Sequence, residues 1–163
     1  MCIPTTSVPN ANIQRADSGS ILNRLRAKHL KALVADDSPF NVNLISNYFS
    51  QFGVSAVSRA YNGSDAFMKY KECLLANVQI DVVTLDIDMP VLDGLAACAK
   101  IREYEKEKKL KPVLIILISG NYDRDQVDEY ITPEKGCGAD CFLRKPVSQA
   151  EFSRAIYNLL TPV

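Results

Sequence analysis

Five short apolar runs alternate with helical stripes along this chain, and few folds accommodate that pattern. KALVA (31–35), VSAVSRA (54–60), IDVVTLD (80–86), VLIILI (113–118) and ADCFL (139–143) read as strands. VLIILI has no polar break, as in a strand covered on both faces. Ser38-Pro39 is a helix start, with Ser as cap and Pro at the first helical position. Leu44, Ile45, Tyr48, Phe49 and Phe52 follow at helical spacing, and Gly53 ends the helix. Asn62-Gly63 turns the chain into a second stripe of Ala66, Phe67, Tyr70 and Leu74. A third helix follows Asp93-Gly94 and ends in EKEKKLK, whose lysines suit the helix dipole. A fourth is expected within Asp123 to Ile131. The fifth opens on a Ser148-x-x-Glu151 capping box and buries Phe152, Ala155, Ile156, Leu159 and Leu160. This alternation predicts an α/β fold of parallel strands joined by right-handed crossovers, with helices on both faces.

A chain of 163 residues fits one such domain with some tail. Residues 1–28 read as an N-terminal tail or linker, with a short lead-in helix within Ile21 to Leu30. Residues 29–163 read as the folded domain. Lys plus Arg (19) balance Asp plus Glu (19). That excludes a sequence-independent grip on nucleic acid and contact with an anionic membrane, both of which need a basic excess. No apolar run is long enough to span a bilayer, and the first residues carry no secretory signal. The five cysteines (Cys2, Cys73, Cys98, Cys137, Cys141) are odd in number and irregular in spacing. They read as ordinary thiols in a reducing, cytoplasmic setting, with a membrane-anchored parent protein compatible with it. No second Cys/His pair completes a zinc set around Cys137 and Cys141.

Polar residues fall where strands end. Strand one ends in Asp36-Asp37, strand three in Asp86, strand four in Ser119, and strand five runs into Lys145. A parallel sheet brings these ends to one edge, where function sits in folds of this kind. Three carboxylates in one small space repel unless a cation sits among them, and a hard cation with oxygen ligands means Mg²⁺. A carboxylate nucleophile, a metal, a lysine and a hydroxyl together suit a phosphoryl group.

The stretches VADDSPFN (34–41), LDIDMPVLDG (85–94), IILISGN (115–121) and ADCFLRKP (139–146) resemble, in this order, the response-regulator receiver domains. The resemblance covers about residues 29–161. Asn41 is most like receivers attached to hybrid histidine kinases. The resemblance implies a flavodoxin-like, doubly wound (βα)5 fold with parallel strand order 2-1-3-4-5. It implies that Asp86 is the phosphoacceptor of a two-component phosphorelay. Asp37 and Asp86 would ligate Mg²⁺ directly, Asp36 would help through water, and the backbone carbonyl of Asp88 would complete the protein ligands. Lys145, aimed by a cis bond to Pro146, would pair with the phosphoryl group. Ser119 would be the switch hydroxyl and Phe142 the aromatic switch that turns inward on activation. The phosphodonor would be a histidine kinase or a histidine phosphotransfer protein. The output face would be the fourth helix, fifth strand and fifth helix of the repeat, through which such domains also dimerise. The family promotes its own phosphorylation and slow dephosphorylation, so the domain is partly an enzyme acting on itself. Ser119 and Lys145 stand 26 positions apart, a few more than in compact bacterial members, with the excess expected near ITPEKGCG (131–138).

Two rival readings stand beside this one. LDIDM contains the D-x-D of haloacid-dehalogenase-type phosphatases, but there the D-x-D comes near the start and the extra acidic pair last. A pseudo-receiver that is never phosphorylated would not need the intact set of Asp36, Asp37, Asp86, Ser119 and Lys145.

Overall fold

The computed structural model describes residues 3–4, 18–26, 28–54, 56–121, 123, 126–127, 131 and 136–161. The elements, in chain order, are β1 (Ile3–Pro4), α1 (Ser18–Arg26), β2 (Lys31–Ala35), α2 (Pro39–Gln51), β3 (Ala56–Ala60), α3 (Gly63–Leu75) and β4 (Val82–Asp86). They continue with α4 (Gly94–Lys108), β5 (Leu114–Ser119), β6 (Cys141–Arg144) and α5 (Gln149–Leu160).

Strands β2 to β6 are the five strands of the repeat. They pair in parallel in the order β3-β2-β4-β5-β6, which is the expected 2-1-3-4-5. One element was not expected. The two-residue strand β1 adds antiparallel to the outer edge of β6, with Ile3 opposite Phe142 and Pro4 opposite Cys141. The fourth helix expected within Asp123 to Ile131, and most of the ITPEKGCG stretch, lie outside the described residues; positions 126–127 and 131 carry helical backbone.

Alternate residues of each strand point to opposite faces, so the sheet divides two cores. On one face Val34, Val82 and Ile116 pack beneath α1, α2 and α5; on the other Leu33, Leu85, Leu117 and Phe142 pack beneath α3 and α4. The first core is closed by an aromatic cluster. Phe49 meets Phe152 edge-on at 4.9 Å between centroids, and Phe52 stacks on Phe152 at 5.9 Å. Helix α1 belongs to this core. Its Ile21 and Leu25 are buried, and Arg24 Nη1 donates to Tyr157 Oη at 2.6 Å. Burying each such aliphatic side chain contributes about 1.5–3 kcal/mol. Part of the stretch expected as tail is thus a docked helix.

Local signals behave as the sequence predicts, with two differences. Ser148 and Glu151 form the reciprocal capping box, and Gly53 takes φ +74° after α2. Ser38 precedes α2 but makes no side-chain cap; its N–H donates to Asp36 Oδ1 at 2.9 Å instead. Asn62 is the N-cap of α3, its side chain accepting from Asp65 N at 2.8 Å, rather than part of a plain turn.

The cysteines also require a correction. Cys141 is disulfide-bonded, with its partner outside the described residues, whereas Cys73, Cys98 and Cys137 hold thiols. The expectation of ordinary thiols throughout therefore fails at Cys141, which β1 overlies at the sheet edge.

Candidate metal centre

The carboxyl ends of β2, β4, β5 and β6 carry Asp36-Asp37, Asp86, Ser119 and Lys145 to one edge of the sheet. One carboxylate oxygen each from Asp36, Asp37 and Asp86 falls within a mutual distance of 4.8 Å, with Asp36 and Asp86 buried and Asp37 exposed. Two of the three acids are therefore dry, and the third opens the cluster to solvent. Burial raises the Asp86 carboxyl to about 6. The Lys145 hydrogen bond opposes that shift, and the neighbouring Asp36 charge reinforces it. A proton on Asp86 or a cation among the three oxygens relieves the same repulsion. All-oxygen donors, one of them solvent-facing, suit a hard divalent ion that keeps some of its water.

Lys145 bridges the buried acids. Its Nζ lies 2.8 Å from Asp36 Oδ2 and 3.0 Å from Asp86 Oδ1. Burial alone would lower the ammonium, but hydrogen bonds to Asp36 and then Asp86 raise it above its usual value. The Lys145–Pro146 peptide is cis, as expected. Asp36 is further fixed by the Ser38 N–H and by Asn41 Nδ2 at 3.3 Å.

Ser119 Oγ sits 3.0 Å from the Asn121 carbonyl oxygen and 3.4 Å from Asp88 Oδ2, and it accepts the Asn121 N–H at 3.2 Å. The single hydroxyl proton is thus directed away from Asp86. Asp88 itself is exposed, and its side chain serves Ser119. Phe142 is 1% exposed and packs in the core beneath α3 and α4. Asn121 escaped notice in the sequence because its contribution is made by backbone atoms.

Gly94 fixes how the acceptor strand meets the next helix. Its N–H donates to Ile87 O at 2.9 Å, and a Cβ there would lie 2.1 Å from the Asp86 carbonyl oxygen. Beside the acids a cleft of about 280 Å³ runs along α2, with Phe40 and Leu44 on one wall and Lys145 and Val147 on the other.

The sequence profile of the response regulator receiver domain matches residues 32–157. The chain belongs to that family. This receiver is 33% identical over 127 residues to hybrid signal transduction histidine kinase L of Dictyostelium discoideum, covering 77% of the chain but 7% of that kinase. It is 35% identical over 117 residues to the chemotaxis protein CheY of Listeria monocytogenes, covering 72% of the chain and 87% of CheY. Among solved structures it resembles the receiver domain of the histidine kinase CKI1 from Arabidopsis thaliana, complexed with Mg²⁺ and BeF₃⁻. That match has a TM-score of 0.73 and 25% identity, covering 86% of this chain and 95% of the other. The receiver thus spans a small part of the hybrid kinases it matches and most of the compact chemotaxis regulator. Among the described residues no helix is long and apolar enough to cross a membrane.

Proposed function

We propose that this receiver takes a phosphoryl group from a phosphohistidine onto Asp86, in a two-component phosphorelay, with Mg²⁺ bound by Asp36, Asp37, Asp86 and the Asp88 carbonyl. The observation that carries this is the convergence of Asp36, Asp37 and Asp86 around one point with Lys145 against two of them. An Asp86 carboxylate oxygen attacks phosphorus, the N–P bond to the donor imidazole breaks, and the imidazole leaves. When bound, the metal supplies neutralisation of charge on the transferring group. Lys145 exchanges part of its hold on the acids for a phosphoryl oxygen. Ser119 leaves Asn121 and Asp88 and donates to another, and Phe142 fills the space that Ser119 leaves.

The donor is a histidine kinase domain or a histidine phosphotransfer protein. Output passes through β6, α5 and the expected fourth helix of the repeat, which also serve any dimer. Residues 29–163 carry the five-strand receiver repeat, α1 and β1 of the leader dock onto it, and the site works in the cytoplasm. A phosphatase of the D-x-D type is disfavoured by the order of its acids.

Titration with beryllium fluoride in Mg²⁺ tests the reading. Wild type binds the phosphoryl mimic and Asp86→Asn does not; equal binding by the variant overturns the assignment. Continual release of phosphate from a small phosphate ester would favour the phosphatase instead.

A further inference from the structure

A second reactive site lies away from the acids, where α4 meets the loop entering β6. Cys98 is fully buried on α4, and its Sγ lies 3.3 Å from the carbonyl oxygen of Cys137. Each thiol is the strongest electrostatic influence on the other, and neither is in a disulfide. Their apposition is enforced from one turn further along the helix. Arg102 stands four residues after Cys98, so both share a face of α4. Its Nε donates to Gly138 O at 2.8 Å, its Nη1 to Val113 O at 2.8 Å, and its Nη2 to Asp140 Oδ2 at 2.8 Å. The loop crosses so closely that a Cβ on Gly138 would come within 3.1 Å of the Arg102 side chain, and Gly138 takes φ +84° there. The loop is thus clamped just after Cys137, at Gly138 and Asp140.

The two thiols differ in access and acidity. Cys137 is half-buried and reaches solvent, whereas Cys98 does not. The Cys98 S–H beside it holds the Cys137 thiol below its usual value, against the effect of burial, with the Ala139 backbone and the Arg102 charge assisting. The same contact, together with burial, pushes Cys98 up. The solvent-reaching Cys137 is thus placed to react first and the buried Cys98 to resolve it, the arrangement of an attacking and a resolving cysteine.

We propose that Cys98 and Cys137 form a reversible oxidative modification site that a hydroperoxide converts to a disulfide joining α4 to the β6-entry loop. The Cys137 thiolate attacks one peroxide oxygen; an S–O bond forms, the O–O bond breaks, and hydroxide leaves to take a proton as water. Cys98 sulfur then attacks Cys137 sulfur; an S–S bond forms, the S–O bond breaks, and the departing hydroxyl leaves as water with the Cys98 proton. Two thiols lose two electrons in total and one hydrogen peroxide gains them, giving two waters. The sulfurs must close to about 2.0 Å, and Arg102 on α4 already holds the loop at Gly138. Reduction by a dithiol reverses the step. This site makes no use of Asp86 and stands independently of the phosphorelay reading.

The whole chain is treated with hydrogen peroxide, alkylated, and cut after basic residues and before Asp140, which separates Cys137 from Cys141. The expected product is a cross-linked pair of peptides carrying Cys98 and Cys137, 2 Da below the sum of the reduced peptides and cleaved by dithiothreitol. It should form roughly tenfold faster than any oxidation of the half-buried Cys73. In Cys98→Ser, Cys137 should stop at the sulfenic acid and be captured by dimedone. Absence of the linked pair in wild type, or Cys73 reacting as fast as Cys137, overturns the proposal. The wild-type measurement decides even if the variant does not fold.

Discussion

Lys145 Nζ stands 3.0 Å from Asp86 Oδ1 while also touching Asp36 Oδ2, so one ammonium holds the two buried acids of the site together. Removing it leaves two dry carboxylates facing each other. Lys145→Met should therefore cost about 1–3 kcal/mol in metal-free buffer, less than for a fully buried pair because the lysine side chain is 27% exposed. Mg²⁺ should recover more stability in the variant than in wild type, because the competing cation has gone. Urea unfolding of both proteins in EDTA and in Mg²⁺ checks this. An equal metal effect in the two proteins would contradict it.

Proton and metal compete at Asp86. With the carboxyl raised to about 6 by burial, the folded protein keeps a proton that the unfolded chain loses near pH 4. In metal-free protein this group's stabilising contribution is complete below that lower value and is lost as pH rises through about 6. Mg²⁺ affinity should move the opposite way, falling about tenfold per pH unit below 6 as the proton displaces the ion. Metal titrations from pH 5 to 7.5 measure the slope, and Asp86→Asn should flatten it.

Glu105 is the buried acid at the other end of the sheet. It is 2% exposed and accepts from Tyr70 Oη at 2.9 Å, Val113 N at 2.6 Å and Arg102 Nη1 at 2.8 Å. Glu105→Ala strands the Tyr70 hydroxyl and the Val113 N–H and takes one partner from Arg102 Nη1, and should cost about 3–5 kcal/mol. Glu105→Gln keeps the shape and an acceptor, and should cost less. Chemical denaturation ranks the two, while beryllium fluoride binding of the folded fraction should stay near wild type.

Gly94→Ala forces a methyl group against the Asp86 carbonyl. Backbone cannot yield as a flexible side chain does, so the variant should lose at least about 1–3 kcal/mol. Its Mg²⁺ affinity should drop as well, since the displaced peptide carries the acceptor. An unchanged affinity at reduced stability would show that the strain is absorbed in α4 instead.

Buried parallel strands are continuous apolar runs, which is why the alternation could be read from the residues, whereas the strand order came with the resemblance to receiver domains. The strand starts were harder. Ile80 and Asp81 look like strand, yet β4 begins at Val82 because the Asp81 carboxylate takes the Lys31 N–H at 2.8 Å. Asp140 does the same to the Ile115 N–H before β6. Asp36, Asp37, Asp86, Ser119 and Lys145 were legible because strand ends in a parallel sheet share an edge. The Arg102 clamp was not, since its partners Gly138, Val113 and Asp140 are distant in sequence and partly backbone. The docking of α1 and the pairing of β1 likewise depend on contacts more than a hundred residues apart.

That outermost pairing has its own consequence. A bare strand edge invites any extended peptide to join it. Here Ile3 and Pro4 lie along β6, with proline offering no amide hydrogen outward. A visitor arriving at that flank therefore finds the berth taken by the chain's own beginning. It must settle on helices, or first peel the leader away from β6.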